Sequence, residues 1–305
     1  MDVNAKAAAD RIYHLRGGDD MDNDELTRRD FVAMTVAAGL AAAASDELSA
    51  QQIVETNVEI KTPDGTCDAA FIHPATGAHA GVIIWPDAFG LRPSMRDMAK
   101  RLAMAGYSVL VPNPFYRVAK SPVYEDASKV DFSKERGKLG PLMGSIGADG
   151  AVEKDAPALV AWMDMQQSID RSKKIGTQGY CMGGALVVRT AAAVPNRIGA
   201  GASFHGGGLV TTMPNSPHLL APKVKARMYF GIATNDDMQQ PDAKTKLKEA
   251  FDAAKVPVEV EVYSMAQHGW CVPDMPVGQQ GPIYKKDDAE RAWTKLMALY
   301  KAALT

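Results

Sequence analysis

From residue 54 onward, hydrophobic and polar positions follow two alternating rhythms. The stretch V-E-T-N-V-E-I-K-T at 54–62 changes character at every second residue, the signature of a half-buried strand. P-D-G-T turns the chain, and C-D-A-A-F-I-H returns it, so an opening hairpin is predicted. Short unbroken apolar runs at 81–87, 107–114, 174–179, 198–205, 226–233 and 258–264 read as buried strands. Between them, 93–105, 152–165, 185–194, 242–254 and 287–303 have helical spacing; in the first, Met95, Met98, Leu102 and Ala105 share a face. The polar segment 121–150 shows no rhythm and reads as an irregular surface excursion or lid. Buried strands alternating with amphipathic helices predict an α/β fold, a mostly parallel sheet covered on both faces. No linker or internal repeat interrupts residues 51–305, so one domain is expected there.

The first fifty residues are different. Residues 1–30 are charged and aperiodic, and Arg28 and Arg29 then stand directly before a modest alanine-rich apolar run that ends in small residues at Ser45. A charged pair, a weakly hydrophobic segment too short to span a bilayer and a small-residue cut site resemble a bacterial twin-arginine export signal. Cleavage is expected after Ala44 or Ala50, with a periplasmic mature chain carrying no membrane segment; an uncleaved amphipathic helix on a cytoplasmic protein is the alternative.

Bulk composition narrows the functions. The 305 residues are 46% hydrophobic and 23% charged with a net charge of -2, so a substantial core is expected and nucleic acid is not an expected partner. Three cysteines make no disulfide framework, and no Cys/His spacing suits a metal; neither metal nor organic cofactor is expected.

Candidate chemistry starts at G-Y-C-M-G-G, 179–184, where a strand gives way to a helix. Glycines flanking a central residue at such a turn match the nucleophile elbow, with Cys181 in place of the usual serine. A side chain there stands above the sheet edge at a helix N-terminus, where amide N–H groups stabilise a thiolate and a developing oxyanion. A buried cysteine in a glycine-rich turn is the structural alternative. His268 in Q-H-G-W follows a predicted strand and can serve as base. Asp236 or Asp237 in N-D-D follows another and can orient it. The order nucleophile, acid, histidine is that of the α/β-hydrolases, and all three fall at C-terminal strand ends, where open α/β sheets place their sites.

Over residues 55–303 the chain resembles the dienelactone hydrolases, through W-P-D-A-F-G-L (85–91), V-P-N-P-F-Y-R (111–117), G-Y-C-M-G-G, N-D-D and Q-H-G-W. The resemblance implies an α/β-hydrolase fold with a Cys-His-Asp triad: Cys181 as nucleophile, His268 as base, Asp236 as acid with Asp237 one register away. It implies that Asp87 contacts the resting thiol, in a place where better-studied members carry Glu. It implies an oxyanion hole from the amides of Met182 and Ala88, and Arg117 as binder of a substrate carboxylate. A second such arginine after the histidine is missing, since Gly269, Trp270 and Cys271 stand there. Phe89, Tyr116, Trp270 and His205 are candidate pocket walls, each with a structural alternative. Cys67 and Cys271 read as inert core thiols. The expected reaction is acyl transfer from a small ester or lactone, neutral or anionic, through a thioacyl-enzyme. A general carboxylesterase of the same fold, or a binding or redox protein that does not turn over, are the competing readings.

Overall fold

The computed structural model describes residues 52–304 except 279–280; the export leader read in residues 1–50 lies outside the described residues. The predicted hairpin forms from β1 (Ile53–Thr62) and β2 (Gly65–Pro74), paired antiparallel from Ile53↔Pro74 to Thr62↔Gly65. The buried runs become β3 (Gly81–Trp85), β4 (Ser108–Pro112), β5 (Ile175–Tyr180), β6 (Ile198–Phe204), β7 (Arg227–Ala233) and β8 (Val258–Tyr263). Their order across the eight-stranded sheet is β1-β2-β4-β3-β5-β6-β7-β8. From β4 to β8 every neighbour is parallel, and β2 alone runs against the other strands. Beyond the sheet, Val277–Gly278 (β9) and Gly281–Pro282 (β10) form a short ribbon.

Side chains of the central strands divide between two cores with the period of 2 that a pleat imposes. Ile83 and Trp85 of β3 and Leu110 of β4 enter one core. Val82, Ile84, Val109 and Val111 enter the other. The helices segregate accordingly. α1 (Pro93–Met104) brings Met95, Ala99 and Leu102 to the second core, where α7 (Lys286–Ala303) adds Ala292, Leu296 and Tyr300. α3 (Ala151–Asp164), α4 (Met182–Ala193) and α6 (Ala243–Ala253) cover the first. The indole N–H of the fully buried Trp85 donates to Thr190 Oγ1 at 2.9 Å, tying α4 to β3 with one satisfied polar pair.

Two expectations are corrected. Ala105 is the C-cap of α1 rather than part of its buried face, because Gly106 at φ 92 turns the chain toward β4. The segment 121–150 is not irregular throughout: it contains a 3-10 turn (Ala127–Lys129) and α2 (Phe132–Gly147), whose N-cap Asp131 accepts from the Ser133 amide. Four glycines and Pro141 give this stretch a poor helix propensity. Burial of Leu139, Leu142 and Ile146 against the first core overrides it.

Candidate active site

β5 ends at Tyr180 and α4 begins at Met182, so Cys181 alone makes the turn, at φ 52 and ψ -116. Such a left-handed conformation in a residue with a Cβ costs about 1–3 kcal/mol and persists only where the surroundings dictate it. Here they do. A methyl group on Gly179 would overlap the Gly183 carbonyl, one on Gly183 would overlap the Trp85 carbonyl, and one on Gly184 would meet Ser203 and Gly206. The glycines therefore let β5, α4 and the end of β3 approach backbone to backbone. The Cys181 carbonyl accepts from the amides of Gly184 and Gly207 at 3.1 and 3.0 Å.

His268 follows β8 and is half-buried. Its amide donates to Asn235 Oδ1 at 2.8 Å, and its Nδ1 lies 2.8 and 3.0 Å from the two oxygens of Asp236. Asp236 sits in α5 (Thr234–Gln239), a short helix directly after β7. The neighbouring Asp237 faces away, with both oxygens 2.7 Å from Lys244 Nζ. The geometry thus selects Asp236 over Asp237. Burial pulls the His268 pKa down, but hydrogen bonds to Asp236 and to Cys181 outweigh it and raise it from 6.5 to about 10. Cys181, His268 and Asp236 come together from the ends of β5, β8 and β7. An open depression of about 620 Å³ borders His268, with Asn235, Met265, Gln267 and Ile283 in its wall.

The amides of Met182 and Ala88 make no hydrogen bond among the described residues. Ala88 is held by its neighbours. Asp87 Oδ1 accepts from the Phe89 amide at 2.9 Å and from Arg92 at 2.7 Å, while Oδ2 accepts from Arg92 at 3.0 Å. Asp87 therefore does not hold the thiol as expected: its oxygens are taken up by Arg92, an ion pair within the site loop itself. Arg92, 1% exposed, also donates to both oxygens of Asp274 at 2.7 and 2.8 Å. Asp274 in turn accepts from the Ala127 amide at 3.1 Å. Burial of Asp274 opposes its ionisation, but Arg92 prevails and holds its carboxyl below the ordinary range. Neither Arg92 nor Asp274 is legible as a site residue in sequence, because their pairing spans 182 positions.

Several expected pocket residues are elsewhere. Arg117 does not offer a free guanidinium: it bonds Asp64 at 2.9 and 3.1 Å and Asp155 at 2.8 and 2.9 Å, and lies over the Tyr116 ring. The Tyr116 hydroxyl donates to Asp155 and meets Thr62, so this pair anchors the tip of the β1–β2 hairpin instead of a substrate. Trp270 is fully buried and stacked on Tyr263 at 4.6 Å, a core residue. His205, at φ 41, is also buried rather than lining an open wall. Its Nδ1 accepts from the Cys181 amide at 3.0 Å, and its ring meets His268 edge-on at 4.9 Å. Burial and the neighbouring His268 push its pKa well below 6.5, so it meets the Cys181 amide as a neutral ring with its proton on Nε2. Phe89 does reach the excursion, packing edge-on against Tyr124 and Phe132. Among the described residues no cluster of acidic, His or Cys side chains could hold a metal ion.

A parallel sheet of this order with an elbow at β5 and an Asp-His pair after β7 and β8 defines an α/β-hydrolase. The chain belongs to the dienelactone hydrolase family, whose model matches residues 67–304. It is 27% identical over 213 residues to a carboxymethylenebutenolidase of Rhodococcus opacus, covering 69% of this chain and 78% of that one. Among solved structures it resembles a candidate dienelactone hydrolase of Klebsiella pneumoniae, with a TM-score of 0.68 and 21% identity over 82% of this chain and 99% of the other. It also resembles a dienelactone hydrolase-like promiscuous phosphotriesterase from metagenomic libraries, with a TM-score of 0.64 and 20% identity over 83% and 99%.

Two outcomes are expected. Arg92→Met leaves Asp87 and Asp274 buried without their cation, and urea unfolding should register a loss of about 3–5 kcal/mol; a loss under 1 kcal/mol contradicts the clamp. His268 is raised in the folded chain, so its contribution to stability is complete below pH 6.5 and fades as pH climbs through about 10. An NMR titration of its ring should show a midpoint above 8 that falls when Cys181 becomes Ala; an unchanged midpoint near 6.5 in both would refute the coupling.

Proposed function

We propose that this hydrolase uses Cys181 as its nucleophile against small esters and lactones, enol-lactones included, and works through a thioacyl-enzyme. The supporting observation is His268, held by Asp236 at 2.8 Å on one side and coupled to Cys181 on the other. A binding protein needs no such base. In this reading Cys181 Sγ gives its proton to His268 and attacks the carbonyl carbon. The amides of Met182 and Ala88 donate to the resulting oxyanion; loss of one such donor typically costs about 10²–10³ in rate. The C–O bond to the leaving group breaks, and His268 returns its proton to the departing alcohol or enolate oxygen. A water that gives a proton to His268 then attacks the thioester, releasing the acid and restoring the thiol. A thioester forms and resolves best with activated acyl groups, which favours aryl esters and enol-lactones over amides.

The pairing of Arg117 with Asp64 and Asp155 favours a second reading, a carboxylesterase without preference for anionic lactones. One assay separates the possibilities: cis- and trans-dienelactone and p-nitrophenyl acetate, with the reduced wild type and Cys181→Ala. Turnover that drops at least about 10³-fold in the variant is expected for a covalent nucleophile. Comparable kcat/KM on the neutral ester and the anionic lactones selects the carboxylesterase. Full activity in Cys181→Ala refutes the cysteine mechanism.

We propose further that the twin-arginine segment exports the folded enzyme and is then removed, leaving residues 51–305 as the working domain. The support is the Arg28-Arg29 pair before its alanine-rich run. Mass spectrometry of a periplasmic fraction should find a chain that begins near Ser45 or Gln51; an intact Met1 terminus confined to the cytoplasm contradicts export.

A further inference from the structure

A partly enclosed cavity of about 160 Å³ lies between α1 and α7, on the sheet face away from α3, α4 and α6. It is separate from the depression beside His268. Met98, Ala289, Ala292 and Leu296 contribute helix side chains, and Tyr180 and Phe204 close it from the sheet. Cavities of about 150 Å³ with apolar walls stay dry and take up molecules the size of benzene.

The charge around the cavity is already neutralised. Arg101 forms two hydrogen bonds with Glu290, at 2.9 and 2.5 Å, and its guanidinium lies 4.0 Å above the Trp293 ring. Asp97 accepts from Lys100 at 3.0 Å. A charged guest would have to break these pairs, so the walls select a neutral one.

The polar groups leave one vacancy. Tyr300 donates to Gln178 Oε1 at 3.0 Å, and Gln178 Nε2 donates to the Tyr180 hydroxyl at 2.6 Å. The Tyr180 hydroxyl accepts there but donates to nothing among the described residues, although Tyr180 is only 4% exposed. A phenol has one O–H to give, and a buried donor without a partner costs about 1–3 kcal/mol. Burial also pushes the Tyr180 pKa far up, so the donor stays protonated. The Cys271 thiol in the same wall is likewise held neutral by burial.

We infer that this cavity is a binding site for one neutral, ring-sized molecule with a single hydrogen-bond acceptor, such as an aryl ketone or aryl ether, seated against the Tyr180 hydroxyl. The inference does not rest on the catalytic reading. Its place in the fold gives it a bearing on the site nonetheless. Tyr180 immediately precedes Cys181, Phe204 precedes His205, and Cys271 comes three residues after His268. A guest presses on the far side of the strand ends that carry the reacting groups.

The test is thermal unfolding of the full chain with α-methylstyrene and with acetophenone, near-isosteric probes in which a C=CH2 group replaces the C=O acceptor. Both should raise the Tm saturably in wild type, with acetophenone binding roughly tenfold more tightly, the worth of one hydrogen bond. In Tyr180→Phe the two probes should bind equally. In Ala292→Leu and, independently, Ala289→Met, which fill the cavity and are checked for native circular dichroism, neither probe should act. Absence of any shift in wild type overturns the site, as does a shift that survives filling in a folded variant. Equal affinity of the two probes in wild type overturns the assignment of Tyr180.

Discussion

The close approach of backbone to backbone at the end of β5 is the constraint on which the site depends. Gly179, Gly183 and Gly184 carry no side chain because carbonyls of α4 and β3 and the Ser203 hydroxyl occupy that space. The packing does two things at once. It holds Cys181 in a conformation the residue would not choose, and it brings the start of α4 beside the loop after β3. The segments that carry Met182 and Ala88 thereby lie side by side although 94 positions separate the two residues. The strain at Cys181 is sustained by the burial of the flanking strands, since β3 and β5 are fully covered on both faces.

Around that fixed point the polar groups fall into two sets with opposite properties. Asp236 and His268 are partly exposed, and His268 links the carboxylate to Cys181. Asp87, Arg92 and Asp274 are paired more deeply, in an arrangement with every oxygen engaged. Buried ion pairs add little net stability relative to apolar packing, but they are costly to break. That property suits a group that must keep a loop in one conformation while chemistry proceeds next to it. His205 belongs to neither set: uncharged and enclosed, it meets the Cys181 amide and the edge of the His268 ring.

Much of this was legible in the sequence because the signals were local. The strand–turn–helix at Cys181, the hairpin over residues 53–74 and the buried runs each carry their pattern within about ten residues. Cys181, His268 and an aspartate after β7 could be named as candidates from position and order, and the structure brings Asp236 rather than Asp237 to His268. What could not be read was partnership across distance. Arg117 looked like a free cation because nothing near it in sequence announces Asp64 or Asp155. Asp87 looked available to the thiol because Arg92, five residues on, gives no local sign that it folds back. The helix at 132–147 was hidden by its own glycines, and its apolar stripe has meaning only once a core exists to receive it.

Arg92 has a further consequence for motion. Through Asp87, Asp274 and the Ala127 amide, one guanidinium joins the loop after β3, the loop beyond His268 and the start of the excursion that carries α2. None of the three can swing outward alone without stranding a charge in a poorly solvated place. They constitute a single cooperative unit in the sense of native-state hydrogen exchange, which opens as a whole or stays shut. Displacement of the excursion that carries α2 is therefore coupled to the loop after β3 and to the loop beyond His268.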